Sequence, residues 1–269
     1  MKRAIFCLFG LLGFIGTPAL AADMPVRWSA PEAPPAIWNW TGLYLGGGLG
    51  GDWSRYETKL TTVNGPVPLF AAGDVGRINA LGSPTITTLT GAFGGRLGYN
   101  YQVDHWVLGL EGNAWYFRSS KIATSSPGNP FAGVAGGTAT FNTTSSMDWV
   151  ATVAPRLGWS IDRVLLYLTG GAAFGKVSYA DSYAAVNAAG LNLESTSASQ
   201  TRAGWTAGGG LNYGLNSNWV LSVDYQHIDL GYLKTSAPVI TVGAANTATF
   251  NFSTLVHTDV FTLGAAYKF

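Results

Sequence analysis

Eight stretches of this chain change character at every second residue, and each is long for a strand of an ordinary globular sheet. They run over 40–53, 91–102, 106–117, 146–160, 164–176, 201–213, 219–227 and 258–269. In the first, Leu43, Leu45, Leu49 and Trp53 share one face, while Tyr44, Gly46, Gly48 and Gly50 share the other. In the last, Phe261, Leu263, Ala265, Tyr267 and Phe269 alternate with Thr262, Gly264, Ala266 and Lys268. Strands of this length match the tilted crossing of a bilayer. Aromatic residues gather near their ends, as in Trp40 and Trp53, Tyr99 and Tyr101, Trp106 and Tyr116, Trp149 and Trp159. That is the placement of two interfacial girdles. Pro155 falls inside the fourth stretch, where it cannot donate to a ladder.

The connections alternate as well. Residues 103–105, 161–163 and 214–218 make short turns, and 54–90, 118–145, 177–200 and 228–257 read as long loops. Short turns on one side and long loops on the other are the outer-membrane layout. The fold expected is therefore all-β: an eight-stranded antiparallel up-and-down transmembrane β-barrel with short periplasmic turns and long extracellular loops. A soluble sandwich would also alternate, but with shorter strands and more charge on its polar faces. Here charged residues make up only 11% of the chain, against about 25% in a soluble domain.

The N-terminus reads as a secretory signal over 1–21. Lys2 and Arg3 precede an apolar run over 4–16, and Ala19-Leu20-Ala21 fits small-residue cleavage. The apolar run is too short to span a bilayer, and no later stretch approaches 18 apolar residues. Cys7 lies inside the signal, so the mature chain has neither disulfide nor thiol nucleophile. Residues 22–39, with Pro25, Pro31, Pro34 and Pro35, read as an extended periplasmic lead-in, and 40–269 as the barrel. A net charge of +1 without basic clusters argues against nucleic acid as a partner.

The polar faces carry few charges: Arg96, Glu111, Asp148, Arg156, Arg202, Asp224 and Lys268. An eight-stranded barrel is just wide enough for side chains to fill it, and a lone charge inside is costly. These seven are expected to pair in the interior, with inward glycines leaving room for the arginines or for trapped water. Lys268 is expected to meet Asp224 or Asp148. An ion-paired plug is the first reading of this set; a narrow channel for ions or small solutes is the alternative. His227-Ile228-Asp229 and His257-Thr258-Asp259 repeat a His-x-Asp spacing that puts both side chains on one strand face. It could hold a metal weakly, but it reads as a polar rim. No histidine is followed two residues later by the serine of a lipid-facing deacylase, and no phosphate loop, CxxC or HExxH is present. No catalytic residue, cofactor site or metal site is assigned.

Two end motifs carry a resemblance. Ala22-Asp23-Met24-Pro25, the proline-rich lead and Trp40-Thr41-Gly42-Leu43-Tyr44-Leu45-Gly46-Gly47 open the mature chain, and Phe261-Thr262-Leu263-Gly264-Ala265-Ala266-Tyr267-Lys268-Phe269 closes it. Together they resemble the alphaproteobacterial outer-membrane immunogenic and porin-family barrels, which belong with the small OmpA-type barrels. The resemblance implies a non-enzymatic surface protein of the cell outer membrane, abundant and antigenic. Its implied partners are outer-membrane lipid and lipopolysaccharide, the barrel-assembly machinery during biogenesis, and host or surface ligands at the loops. It also implies that Phe261, Leu263, Tyr267 and Phe269 form the closing-strand signal read during assembly.

Overall fold

A computed structural model describes residues 38–125, 129–132, 134 and 136–269. The segments expected as a signal, 1–21, and most of that expected as a lead-in, 22–39, fall outside the described residues. Eight antiparallel strands close into one barrel in sequence order. They are β1 (Gly42–Asn64), β2 (Thr85–Val103), β3 (Trp106–Ser125), β4 (Thr138–Ile161), β5 (Val164–Asn187), β6 (Gly190–Gly214), β7 (Trp219–Thr241) and β8 (Thr247–Lys268). One helix, α1 (Ala72–Leu81), lies between β1 and β2. Closure comes from β1 pairing with β8, from Tyr44 opposite Lys268 to Asn64 opposite Ala248. Closure leaves no sheet edge to meet lipid. No helix among the described residues is long and apolar enough to cross a membrane.

The turns at one end are tight. Asp104 and Asp162 adopt positive φ there, a conformation in which a short polar side chain is tolerated. Near this end the outward faces are apolar: Leu43, Leu45, Leu97, Leu108, Leu157, Leu166, Leu221 and Leu263 are all exposed. Pro155 sits in this band opposite Leu110 of β3. Its carbonyl accepts a hydrogen bond from the Thr169 hydroxyl at 3.0 Å.

The long loops of the sequence reading are mostly strand. The segments 54–64, 85–90, 118–125, 138–145, 177–187, 190–200, 228–241 and 247–257 all continue the barrel wall. Among the described residues, what remains as connection is 65–84, 129–132, 134, 136–137, 188–189 and 242–246. The physical reason is an inversion of the pattern. Within the lipid band apolar side chains point out; beyond it they point in. Tyr56, Leu60, Phe141, Met147, Tyr179, Tyr183, Phe250, Phe252 and Val256 form one buried cluster, to which Phe70, Ile78 and Phe131 add from the connections. Small polar residues face outward at the same level, in rows that cross the sheet: Thr124, Asn142, Ser182 and Ser195, and likewise Ser120, Ser146, Ser178 and Ser199.

The wall is not uniformly zipped. The β2–β3 ladder stops at Ala92 opposite Phe117. The β6–β7 ladder runs up to Trp205 opposite Asp229, breaks, and resumes only at Leu193 opposite Ile240. Where both ladders are open the wall divides into two four-stranded sheets, β3 to β6 and β7 through β8 and β1 to β2, packed on the aromatic cluster and joined again where Leu193 pairs with Ile240.

Trp40 is a correction to the girdle expected from sequence. It is buried, with Trp38, against Val107, Leu165, Tyr167 and Val220 in the mouth of the barrel. Its backbone N–H donates to the Gln102 side chain at 2.7 Å.

Candidate functional site

Four of the expected interior charges meet in the lower half of the barrel. Arg96 of β2 pairs with Asp224 of β7, both buried. Arg156 of β4 pairs with Glu111 of β3 at 3.0 Å. Tyrosines join the two pairs. Tyr44 donates to Glu111 at 2.7 Å and accepts from Arg156 at 2.6 Å. Tyr167 donates to Asp224, and its ring lies 3.5 Å beneath the Arg156 guanidinium. Asn113 adds a donor to Glu111 at 3.2 Å. Charge, hydrogen bond and ring face together replace much of the water that each ion gives up; Arg96 Nε and Arg156 Nε and Nη2 are buried without a hydrogen-bond partner.

Glycine makes this arrangement fit. A Cβ at Gly210 would stand 2.5 Å from the Asp224 carboxylate and 2.6 Å from the Tyr167 hydroxyl. A Cβ at Gly98 would collide with the Tyr44 hydroxyl. The free space around Arg96 is small: one cavity of about 10 Å³ and another of about 20 Å³, each on the order of one or two water molecules.

The other three charges lie elsewhere. Asp148 is half-exposed and stands 3.9 Å from Lys176. The cause is a bulge in β4 between Met147 and Val150, which breaks the parity that sequence alone would continue. Arg202 is half-buried where the β6–β7 ladder is broken, and its Nε has no hydrogen-bond partner. Lys268 meets neither Asp224 nor Asp148. It donates to the Asn39 carbonyl and lies 5.1 Å from the Trp38 ring. Phe261, Leu263, Tyr267 and Phe269 all point outward, and the rings of Tyr267 and Phe269 are 5.1 Å apart.

The two His-x-Asp pairs face each other across the β7–β8 ladder. His227 is opposite Asp259, and Asp229 is opposite His257. His227 Nδ1 is 2.8 Å from Asp259, which also accepts from Tyr225 at 2.7 Å. Trp205 packs on His227 at 5.4 Å. This is a half-exposed polar rim beside an aromatic. Among the described residues, no group of three or more His, Cys, Asp or Glu is placed to hold a metal ion.

A second carboxylate pair escaped the sequence reading because it lies in segments read as loops. Asp181 of β5 and Glu194 of β6 are both buried in the upper barrel. Thr143 donates to Asp181 at 2.5 Å, and Tyr179 stands 3.5 Å away. Burial pushes the Asp181 carboxyl up to about 6 and the Glu194 carboxyl up to about 8, the latter helped by the neighbouring acid. Burial also raises the Tyr179 and Tyr183 hydroxyls.

Comparison with known proteins agrees with this architecture. The family model described as "Outer membrane protein beta-barrel domain" matches residues 8–269. The 31 kDa outer-membrane immunogenic protein of Brucella melitensis biotype 1 is 32% identical over 245 residues, covering 86% of this chain and 88% of that protein. The 25 kDa outer-membrane immunogenic protein of Brucella ovis is 29% identical over 238 residues, covering 86% and 90%. Among solved structures, Ail of Yersinia pestis is similar at 16% identity and a TM-score of 0.34, over 85% of this chain and 99% of that one. This chain belongs to the outer-membrane β-barrel family that includes the Brucella outer-membrane immunogenic proteins, and its place is the outer membrane.

Proposed function

We propose that this protein is a structural and surface component of the outer membrane, a closed barrel that stiffens the envelope and presents its upper wall to the outside. The observation that carries this reading is the pair of buried ion pairs, Arg96–Asp224 and Arg156–Glu111, tied together by Tyr44 and Tyr167. They occupy the lumen where a conducting path would have to pass. Above them the aromatic cluster fills the barrel, and below them Trp38 and Trp40 fill its mouth. Its partners are then outer-membrane lipid and lipopolysaccharide around the band, the barrel-assembly machinery during insertion, and host or surface ligands at the upper wall.

The test is conductance in planar lipid bilayers. The purified protein should give no stable unitary current. A reproducible large current from the folded monomer would overturn the plugged reading and favour a channel for ions or small solutes.

A further inference from the structure

The broken β6–β7 ladder frames a window in the wall. It is closed below by Trp205 opposite Asp229 and above by Leu193 opposite Ile240. Between these points residues 194–204 and 230–239 do not pair. Pro238 falls in the unpaired stretch of β7 and brings no N–H to it. The hydroxyl of Thr235, on the same stretch, is buried without a partner.

The upper part of the window opens on a cavity of about 520 Å³. Exposed Asn142, Ser182 and Ser195 line it as well, so it is an outward-opening groove of small-molecule size. Leu193, Pro238, Ile240 and Ala184 supply apolar lining, and Tyr183 and Glu194 also line it. Glu194 is only 4% exposed; its carboxyl adjoins that of Asp181, and no other group donates to its oxygens. The Tyr183 hydroxyl is also buried without a partner. In the lower barrel every interior carboxylate named above has an arginine; the Asp181–Glu194 pair has none among the ion pairs of the described residues. Once ionised, above about pH 8, a buried carboxylate with an apolar approach is complementary to a cation on a short hydrocarbon.

We propose that the β6–β7 window is a binding site for small organic ammonium ions, with Glu194 receiving the ammonium and the Leu193–Pro238–Ile240 wall receiving the alkyl part. The Tyr183 hydroxyl supplies a further acceptor.

The probe is n-butylammonium chloride, short enough to stay out of detergent micelles, titrated by calorimetry into the folded protein at about pH 9, where Glu194 is ionised and the amine still protonated. 1-Butanol and butyrate share its chain but not its charge. Saturable butylammonium binding at least tenfold tighter than either is expected. Glu194→Gln should lose at least tenfold, with folding checked by heat-modifiable gel mobility. Ala184→Phe, which fills the cavity from an exposed position, should lose binding as well. Should Glu194→Gln fail to fold, the wild-type ligand series and Ala184→Phe decide the matter. No saturable butylammonium binding, equal binding of butanol, or full binding by Ala184→Phe would each overturn the site.

Discussion

Arg96 and Asp224 are joined across the barrel, although their strands, β2 and β7, are not neighbours in the wall. Two strands, β1 and β8, separate them around the ring. The pair therefore ties opposite parts of the cylinder through its interior, which a ladder hydrogen bond cannot do. Arg96→Ala and Asp224→Ala each leave one buried charge unpaired. Each should cost about 3–5 kcal/mol. Arg96→Met with Asp224→Leu removes both charges and should cost clearly less than either single change. Denaturant titration of the folded, fast-migrating gel form in all three variants checks this, and a double variant as unstable as the sum of the singles would sink it.

Gly98 makes a sharper test of the tyrosine bridge. A methyl group there meets the Tyr44 hydroxyl, which links Arg156 to Glu111. Gly98→Ala should destabilise the barrel by about 1–3 kcal/mol, the usual range for overpacking. Tyr44→Leu removes both the hydroxyl and the ring carbon that collide, so the two changes together should cost less than their sum. Additive costs in a double-mutant cycle would show that the glycine acts for another reason.

The acid pair predicts a pH dependence of defined sign. The folded carboxyls of Asp181 and Glu194 lie at about 6 and about 8, above the roughly 4 of an unfolded chain. The two acids face each other, and Asp181 also meets Thr143 of β4 and Tyr179 of β5, the latter packed on the ring of Phe252 of β8. None of these is a cation. The folded state therefore holds extra protons between those values. The stability this contributes is full below about pH 4 and is lost as pH rises through about 6 and then about 8. Unfolding midpoints should fall between about pH 5 and about pH 8.5, and Glu194→Gln should flatten that fall. An unchanged slope in the variant would remove Glu194 from the explanation.

Phe269 is expected to act as an address more than as a packing residue. Its side chain is largely exposed, and its backbone N–H makes one bond, to Leu43 at 2.9 Å. Deleting it removes little buried surface. If the closing strand is read during assembly, the deletion should cut the amount of folded protein in the outer membrane far more than Leu221→Ala, which trims a comparable outward side chain. Heat-modifiable mobility of membrane fractions compares the two. Equal folded yields would reduce Phe269 to one more lipid-facing ring.

The lipid band and the strand count were legible because the band's alternation is strong: Phe261, Leu263, Ala265 and Tyr267 stand against Thr262 and Gly264. The upper wall was not, because the same strand changes parity. In β8 the apolar set is Phe250, Phe252, Val256 and Val260 above the membrane, all buried, and then Phe261 and Leu263 below, both exposed. A reading that follows the lipid-facing parity stops at that boundary. The serine, threonine and alanine between the inward rings then look like loop composition, although threonine and aromatics favour strands. Arg96, Glu111, Arg156 and Asp224 lie on the legible side of the boundary, while Asp181 and Glu194 lie beyond it. Asp148 was misplaced by a single bulge, which no periodicity announces.

The rows of small polar residues on the outer face decide what an antibody raised against this protein would meet. Thr124, Asn142, Ser182 and Ser195 come from four different strands and are brought side by side only by the ladders between them. An antibody approaching this face meets a fixed grid, with every second residue of any one segment turned away from it. A synthetic peptide copied from β5 offers Ser178 and Ser182 without their neighbours, and in solution it also exposes Tyr179 and Tyr183, which the folded wall hides. Sera raised against such peptides would therefore report on unfolded protein, and a faithful antigen must keep the sheet intact.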